Sequence, residues 1–380
     1  MSGSTDSEQA FVPFALERWF ATQPRDWTCD LSSSGATAHA LDELLAFASP
    51  SEREEFARSS LGYGPADGSE RLRSLIAERY VGVRASDVIV TCGAIEALHL
   101  SISALVSPGD EVIVQWPSYP AVAGLARMYG ARVVPWKLDE DRGYRSDNAS
   151  LKRLLTSKTR VVAITQPNNP TGSLLEREEL DALTDLVDSV GAYLLSDEVY
   201  RDLVLEPGLY PDSATERSSR AISIGDVAKP FGLGGLRIGW LVARDVGLRE
   251  RIRARRDYTT LSTPTPSDVL ARVALSHSAE LLRTPVANAR ENLRALAALA
   301  PPEPGLALVP PRAGLTAFAR FVGATVLQKR LAADGILVVP GTLFGCPDRL
   351  RIWLGGSIAE FAPATEAITR HLADPSPSRV

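Results

Sequence analysis

This sequence of 380 residues has few cysteines and histidines, and its acidic residues outnumber its basic ones. The three cysteines, Cys29, Cys92 and Cys346, are odd in number and far apart. They predict neither a disulfide framework nor a zinc site, and we expect no metal. The net charge of −5 gives no reason to expect nucleic acid or an anionic membrane as a partner.

Apolar runs long enough to span a bilayer are also absent from the sequence. The start, MSGSTDSEQAF, lacks the basic and apolar regions of a signal peptide, so we expect a cytoplasmic protein. The first ten residues and the end, DPSPSRV, are small and polar, as in frayed termini. With 45% hydrophobic and 23% charged residues, the composition is that of a globular protein long enough for two domains.

Short β-rich runs alternate with longer amphipathic segments through the middle of the chain. This alternation predicts an α/β fold with a doubly wound, mostly parallel sheet and helices on both faces. The predicted strands are 88–91, 111–115, 132–134, 161–165, 193–196 and 222–224, and the predicted helices include 96–106, 121–128 and 176–190. In such a sheet the ligand binds outside the carboxyl ends of the strands, so the residues just after each strand are the informative ones.

Small, aromatic and amide residues follow three of these strands. Gly93 and Ala94 open a helix, where backbone N–H groups can bind a phosphate, although a tight turn without a ligand has the same sequence. Tyr119 lies between two prolines and is either a wall on which a flat ring stacks or a core residue. Asn169 can donate a hydrogen bond to a phenolate oxygen, but its turn is so rich in Asn, Pro and Gly that turn formation alone explains much of it.

Charged residues follow the last two strands. Asp197 ends a buried strand and therefore needs a cationic partner, whereas Glu198 is predicted to face the other way. Lys229 lies in the stretch SIGDVAKPFGLGGLR, and Arg237 follows eight residues later. This stretch is either an ordinary surface loop, or it carries a lysine whose amine is used in covalent chemistry beside an anion-binding arginine. A phosphate seat, an aromatic ring, an amide donor, a buried anion and a lysine, in this order, are together the set that pyridoxal phosphate needs.

Four motifs give the sequence a clear family resemblance. They are NNPTG, SDEVY, the Lys229 to Arg237 spacing and LRIWLG, and with them the chain resembles the class I/II aminotransferases, pyridoxal-phosphate enzymes of fold type I. The resemblance runs from about residue 33 to residue 372. It implies a large cofactor-binding domain, predicted at 46–275, and a smaller α+β domain built from 1–45 and 276–380.

The resemblance implies a cofactor contact for each motif. Lys229 would bind the cofactor covalently, Asp197 would keep the ring nitrogen protonated, and Tyr119 would stack on the ring. The other implied ligands are Asn169 and Tyr200 at the 3-oxygen of the ring, and Gly93, Ala94 and Arg237 at the phosphate.

Substrate and partner contacts are implied as well. Arg351 would bind the α-carboxylate of an amino-acid substrate, and the alternative for this arginine is a surface ion pair. Ser34, Gly35 and Asn169 are implied to lie at the substrate. Tyr63 matches a tyrosine that reaches the phosphate of the neighbouring subunit's cofactor, which implies a homodimer with active sites at the interface.

Asp226 departs from the family pattern. The family places Ser or Thr three residues before the lysine as a phosphate ligand, and this sequence has Asp226 there. A carboxylate beside a phosphate is repulsive unless it is protonated, turned away or paired with Arg237. We therefore do not count Asp226 as a phosphate ligand, and we expect it to alter the electrostatics around the cofactor.

A narrower resemblance is to the capreomycidine synthases. It is carried by the stretches DLSSSG, RDYTTLS, AGLTAF and VVPGTLFG. That group dehydrates a hydroxylated arginine and closes its guanidine onto the resulting alkene, in peptide-antibiotic pathways. We therefore expect a lyase-cyclase acting on an arginine derivative.

Other functions use the same residues. An ordinary aminotransferase is the main alternative, and an arginine oxidase or decarboxylase would need the same cofactor. A regulator of this fold would carry an added DNA-binding domain, and the sequence has no basic helix-turn-helix extension. A non-catalytic protein would be expected to lack Lys229 or Asp197, and both are present.

Residues 30–35 are the predicted site for the far end of the substrate. No motif identifies a second arginine for a dicarboxylic substrate, and a buried guanidinium needs acceptors. Ser32, Ser33 and Ser34 offer hydroxyl groups, and Asp30 offers an anion. The alternative is a plain polar turn that leads into the first helix.

Lys229 generates the first testable prediction. Borohydride reduction of the cofactor-loaded protein should leave a pyridoxyl group on Lys229, because reduction makes the bond between amine and cofactor permanent. Lys229→Ala should bind the cofactor only non-covalently and lose turnover. Peptide mass spectrometry of the reduced protein checks the attachment site, and a fully active Lys229→Ala variant would contradict the assignment.

Overall fold

The computed structural model describes residues 12–299 and 305–373. The two predicted frayed termini lie outside these residues. Within them, no helix combines the length and the apolar character needed to cross a membrane. The same residues contain no group of three or more His, Cys, Asp or Glu side chains placed to hold a metal ion.

The described residues form fourteen α-helices and thirteen strands. The helices are α1 Ala15–Thr22, α2 Leu41–Phe47, α3 Pro50–Ala57, α4 Glu70–Ala77, α5 Ala94–Leu105, α6 Ala121–Met128, α7 Asn148–Leu154, α8 Arg177–Ser189, α9 Ala228–Phe231, α10 Val246–Arg256, α11 Thr265–Ser276, α12 Ser278–Ala298, α13 Ala324–Ala333 and α14 Ile358–Ala373. The strands are β1 Cys29–Asp30, β2 Val88–Thr91, β3 Glu111–Trp116, β4 Arg132–Lys137, β5 Thr159–Thr165, β6 Tyr193–Asp197, β7 Ala221–Asp226, β8 Gly239–Ala243, β9 Leu306–Ala307, β10 Thr316–Phe321, β11 Ile336–Leu337, β12 Val339–Pro340 and β13 Arg349–Trp353.

Seven strands form the main sheet, in the order β2-β8-β7-β6-β5-β3-β4. Neighbouring strands from β4 to β7 along this order are parallel. The predicted mostly parallel sheet is therefore confirmed, and the six predicted strands are β2 to β7. The seventh strand of the main sheet, β8, was not predicted. It runs antiparallel to both β2 and β7 and interrupts the regular alternation of strand and helix.

The main sheet is buried on both faces, as the apolar run of β5 shows. Val161 and Ala163 belong to one core cluster, which includes α5 and α6, whereas Val162 and Ile164 belong to another, which includes α7 and α8. Successive side chains of a strand point to opposite faces, so a strand covered by helices on both sides is apolar throughout. This is the doubly wound arrangement that the alternating pattern predicts.

A smaller antiparallel sheet, in the order β12-β13-β10-β9, follows in the C-terminal part. β1 pairs in parallel with β11, so the N-terminal segment lies beside this C-terminal part. The two pieces of the predicted smaller domain are thus adjacent in space. Residue 46 lies within α2 and residue 275 near the end of α11, and the division into domains at these residues stays a prediction.

The sheet register brings the chemically informative residues to one edge. Thr165, Asp197 and Ile224 lie side by side on β5, β6 and β7, so the loops that follow these strands start together. Because β8 runs antiparallel, its first residue, Gly239, pairs with Thr91 at the end of β2 and with Asp226 at the end of β7. The β2–α5 turn and the lysine loop therefore meet.

Candidate active site

A cavity of about 460 Å³ opens at this edge of the main sheet. Seven of the predicted cofactor residues line it: Ala94, Tyr119, Asn169, Asp197, Tyr200, Lys229 and Arg237. They come from five different loops or strand ends. The structure thus brings together residues that are separated by up to 143 positions in the chain, from Ala94 to Arg237 (237 − 94).

The start of α5 and Arg237 form a seat for an anion. Gly93 precedes the helix with a φ of 79°, and a Cβ at this position would lie 2.5 Å from Arg237 Nη2. Arg237 donates hydrogen bonds to the carbonyl oxygens of Gly234 at 3.0 Å and Cys92 at 3.3 Å, and it forms no ion pair in the described part of the chain. A guanidinium without a carboxylate partner, beside the positive end of a helix, is suited to bind phosphate.

Asp197 is a buried carboxylate that forms no ion pair in the residues described, although the positive charge of Lys229 acts on it. Its hydrogen bond comes from the backbone N–H of Val199, at 3.4 Å. Burial raises the pKa of Asp197 to about 7, and the negative charge of Asp226 acts in the same direction. Such a group favours a cationic ligand, because a cation would stabilise the ionised carboxylate.

Glu198 faces away from the cavity, as predicted. Its Oε1 accepts hydrogen bonds from the backbone N–H of Ala214 at 3.0 Å and from Ser223 Oγ at 2.8 Å. Neighbouring residues at the end of β6 thus serve different purposes. Asp197 is available to a ligand, whereas Glu198 is engaged inside the protein.

A chain of hydrogen bonds connects Lys229 with Arg351. Lys229 Nζ donates to Ser34 Oγ at 3.2 Å, and the Tyr200 hydroxyl donates to the same oxygen at 3.0 Å. Asn169 Nδ2 donates to the Tyr200 hydroxyl at 3.1 Å, while its Oδ1 accepts from Arg351 Nη1 at 3.3 Å. The amine and the guanidinium are therefore held in one network, although they come from different sheets.

Gly35 lies directly against the backbone of the lysine. A Cβ on Gly35 would lie 3.2 Å from the Cα of Lys229, and the N–H of Ala36 donates to the Lys229 carbonyl at 2.8 Å. The predicted substrate residues Ser34 and Gly35 therefore lie beside the reactive amine. A larger side chain at Gly35 would push this segment away from Lys229.

Asp226 lines the cavity, but its carboxylate is engaged by the backbone. Its Oδ1 accepts the N–H of Lys229 at 3.0 Å. Burial raises the pKa of Asp226 to about 6, against the opposing effects of this hydrogen bond and of the positive charges of Lys229 and Arg237. The group thus orients the lysine segment and adds negative charge beneath the cavity.

Arg351 on β13 is buried, with 1% of its surface exposed, so it is not a surface ion pair. Its Nη2 donates to the carbonyl of Ser32 at 2.6 Å, its Nε has no hydrogen-bond partner, and no carboxylate pairs with it in the described residues. Burial lowers the pKa of Arg351 to about 10. A buried guanidinium with free hydrogen-bonding capacity is suited to bind a carboxylate.

Two cavity residues come from the N-terminal segment, and the sequence pattern had not indicated them. Glu17 on α1 accepts a hydrogen bond from the Tyr119 hydroxyl at 2.9 Å, and Phe14 packs on the Tyr119 ring with 5.4 Å between ring centroids. Both line the cavity. They belong to no motif, and only the path of the chain over the strand ends brings them here.

Several predicted residues do not line the cavity. Gly93, Ser34, Gly35 and Arg351 lie behind its lining residues, whereas Tyr63, Asp30 and Ser33 lie at the surface. Tyr63 is 87% exposed and does not line the cavity of its own chain. Asp30 and Ser33 are exposed, and Asp30 Oδ1 accepts hydrogen bonds from the N–H and the hydroxyl of Ser32, at 2.9 and 2.6 Å. The DLSSSG segment therefore divides, with Ser34 and Gly35 at the lysine and Asp30 at the surface.

Known proteins with a similar sequence or fold show the family to which this chain belongs. The family model for aminotransferase class I and II matches residues 34–368. Capreomycidine synthase of Streptomyces vinaceus is 36% identical, over 96% of this chain and 95% of that protein. A pyridoxal-phosphate-dependent aminotransferase from Streptococcus suis has a TM-score of 0.90 at 27% identity, covering 97% of this chain and all of the other. The pyridoxal-phosphate-dependent cyclase OrfR has a TM-score of 0.86 at 29% identity, covering 98% of this chain and all of the other.

The chain therefore belongs to the aminotransferase class I and II family. It is an enzyme of the pyridoxal-phosphate fold type I, and its cofactor is pyridoxal phosphate. The predicted fold class, family and cofactor are confirmed. The cavity fits this cofactor, because it combines an anion seat, a carboxylate without a cation and a primary amine. Its relatives include both aminotransferases and cyclases, so membership alone leaves the reaction open.

Asp197 should make the stability of the cofactor-free protein depend on pH. Its pKa is raised from 3.8 to about 7, so the folded chain keeps a proton that the unfolded chain loses. This stabilisation is complete below pH 3.8 and is lost as the pH rises towards 7. The Asp197→Asn variant lacks the contribution. We therefore expect the melting temperature of the wild type to fall relative to that of Asp197→Asn between these pH values.

The pH series needs one further variant, because Asp226 acts in the same direction. The pKa of Asp226 is raised to about 6, a smaller shift than that of Asp197. The melting temperature of the wild type should therefore also fall relative to that of Asp226→Asn as the pH rises, but by less. Thermal unfolding followed by circular dichroism at each pH measures all three proteins. A wild-type stability that rises relative to Asp197→Asn over this range would show that Asp197 is ionised in the empty site.

Proposed function

We propose that this enzyme dehydrates a hydroxylated arginine and closes its guanidine into a ring, as a lyase-cyclase. The main support from the geometry is the charge of the cavity. Its lining cations are Lys229 and Arg237, and Arg237 lies at the anion seat. At the same cavity Glu17 offers an anion, which suits a substrate with a basic side chain. The similarity to capreomycidine synthase over nearly the whole chain supports the same conclusion.

The positions of the lining residues support the following cofactor contacts. Lys229 would bind the cofactor through its amine, and Asp197 would pair with the ring nitrogen. Asn169 and Tyr200 would hydrogen-bond the 3-oxygen, with Tyr119 against the ring. Gly93, Ala94 and Arg237 would hold the phosphate. Pyridoxal phosphate, when bound, supplies a ring that accepts the electron pair left at the substrate Cα after proton removal.

The protein's own groups orient the substrate and move protons. Arg351, which contacts the cavity residue Asn169 through its Nη1 at 3.3 Å, would turn towards the cavity and bind the α-carboxylate. Lys229 Nζ, held 3.2 Å from Ser34 Oγ, would take the Cα proton. The hydroxyls of Ser34 and Tyr200 would keep the amine in position during this transfer.

The overall reaction balances as the loss of one water. The C–O bond at Cβ breaks, and the hydroxide leaves as water after it accepts a proton. A guanidine nitrogen of the same molecule then forms a C–N bond at Cβ and gives up its own proton, and this loss is balanced by the proton that returns to Cα. Ring closure within one bound molecule is favoured by proximity. We propose that the cyclic product belongs to peptide-antibiotic metabolism.

An amino-acid aminotransferase is the second candidate, and the similarity to the Streptococcus suis aminotransferase favours it. It would use the same contacts to cofactor and α-carboxylate and the same proton acceptor. The two reactions differ in the fate of the substrate. Transamination needs an oxo acid as amino acceptor, whereas dehydration and cyclisation need none.

The first experiment therefore separates the two reactions by their co-substrate. Incubation of the enzyme with hydroxylated arginine alone should give a product lighter by one water, detected by mass spectrometry. Arginine with 2-oxoglutarate should give little glutamate. Lys229→Ala serves as the control and should do neither. Glutamate formation at the higher rate, without water loss from hydroxyarginine, would establish the aminotransferase instead.

Tyr63 supports a homodimer with shared active sites. Tyr63, Leu61 and Tyr258 are exposed by 87%, 91% and 92%. The loop is held in place, because Asp67 forms an ion pair with Arg253 on α10 at 2.7 Å. Large exposed apolar side chains on an anchored loop are typical of an interaction surface. We propose that Tyr63 reaches the phosphate seat of a second copy of this chain.

Subunit mixing tests this sharing of residues. Lys229→Ala and Tyr63→Ala dimers should each be impaired. In a mixed dimer, the Tyr63→Ala chain keeps its own Lys229 and receives an intact Tyr63 from the other chain. Full exchange should therefore restore about one quarter of the wild-type sites, since half of the dimers are mixed and each has one complete site. Turnover and sedimentation are measured together, and mixed dimers without recovered turnover would place Tyr63 in its own chain's site.

A further inference from the structure

The acceptor for the far end of the substrate comes from outside the segment that the sequence pattern indicated. Asp30 is exposed and its Oδ1 is engaged by Ser32. The Ser32 carbonyl accepts a hydrogen bond from Arg351, and the Ser34 hydroxyl accepts from Lys229 and Tyr200. These groups therefore serve the reactive centre or each other.

Three carboxylates line the cavity, and one of them is set apart from the others. Asp197 and Asp226 end neighbouring strands, and Asp226 is bonded to the backbone of Lys229. Glu17 comes from α1 instead, and it lines the cavity together with Phe14. In the part of the chain that the structure describes, its single hydrogen bond is the one from the Tyr119 hydroxyl, and it forms no ion pair. Its second oxygen is thus free to bind a ligand.

Tyr119 holds Glu17 in a fixed position. Burial raises the pKa of Tyr119, and the carboxylate of Glu17 raises it further, so the phenol stays protonated and donates its hydrogen bond. Phe14 packs on the Tyr119 ring, with 5.4 Å between the centroids, and supports the same arrangement. A carboxylate held at one oxygen presents the other in a defined direction.

The charge of Glu17 reaches the group that would hold the substrate carboxylate. Burial lowers the pKa of Arg351, while Tyr200, Tyr119 and Glu17 act in the opposite direction. Arg351 and Glu17 thus share one electrostatic environment. A ligand between them would have an anion at the Arg351 end and a cation at the Glu17 end, which describes an amino acid with a basic side chain.

We propose that Glu17 binds the guanidinium of the substrate and that Tyr119 is its positioning residue. The proposal rests on the proposed function, in which Arg351 holds the α-carboxylate. A carboxylate matches the planar, multiple-donor shape of a guanidinium, and it repels the distal carboxylate of aspartate or glutamate. Substrate selection would then lie in α1, apart from the strand ends that hold the cofactor.

Titration of the holoenzyme with arginine and citrulline tests this role. The two amino acids have nearly the same shape, but citrulline has a neutral urea in place of the guanidinium. Binding is followed by the visible absorption of the cofactor. The wild type should bind arginine at least about tenfold more tightly than citrulline, the range for a hydrogen bond to a charged group. In Glu17→Gln the ratio of the two dissociation constants should fall to about one.

Matched variants separate this effect from general disturbance. Glu178→Gln makes the same change at an exposed position on α8 and should keep the wild-type ratio. Glu17→Lys reverses the charge and should make glutamate bind more tightly than arginine, which a merely structural role would not produce. An unchanged ratio in Glu17→Gln, or its loss in Asp30→Asn instead, would overturn the proposal.

The titration and the product assay test different proposals, so a negative result in one does not decide the other. A wild type that binds arginine no better than citrulline overturns the role of Glu17, even if hydroxyarginine loses water. Amino transfer to 2-oxoglutarate overturns the cyclase, even if the preference for arginine depends on Glu17. In that case Glu17 would select the substrate of an arginine aminotransferase.

Discussion

Two buried charged groups that form no ion pair with any described residue are the constraint around which the site is built. Asp197 and Arg351 are both buried, and in the described residues neither forms an ion pair. Burial shifts the pKa of each group towards its neutral form, so the empty protein is destabilised by both. A cationic ring nitrogen at Asp197 and a carboxylate at Arg351 would remove these penalties. These buried groups thus lower the stability of the empty protein and would strengthen the binding of ligands that neutralise them.

Rigid elements keep these charges apart and still connect them. Asp197 lies at the end of a central strand, and Arg351 lies on a strand of the smaller sheet. The hydrogen bonds through Asn169, Tyr200 and Ser34 link Arg351 to the lysine amine. A shift of the smaller sheet would therefore move Arg351 relative to the Lys229 amine.

The shared and the specific parts of the chemistry come from different segments. The ends of the main-sheet strands carry the groups proposed here to hold the cofactor. The N-terminal segment adds Phe14 and Glu17, and Asp226 replaces the usual hydroxyl residue beneath the cavity. Differences between a cyclase and an aminotransferase therefore belong to residues that surround the cofactor, because the sheet itself supports both reactions.

Six of the seven strands of the main sheet, and seven residues that line the cavity, could be predicted from the sequence. Apolar β-rich runs predicted six strands, and the residues that follow the parallel strands fall at a common edge because parallel strands share their direction. Only the tertiary structure placed β8, which is short and pairs antiparallel with strands distant in the chain. It also placed Asp30 at the surface and Glu17 in the lining of the cavity. Local pattern predicts periodic elements, whereas the meeting of α1 with the strand ends depends on long-range packing that no single segment encodes.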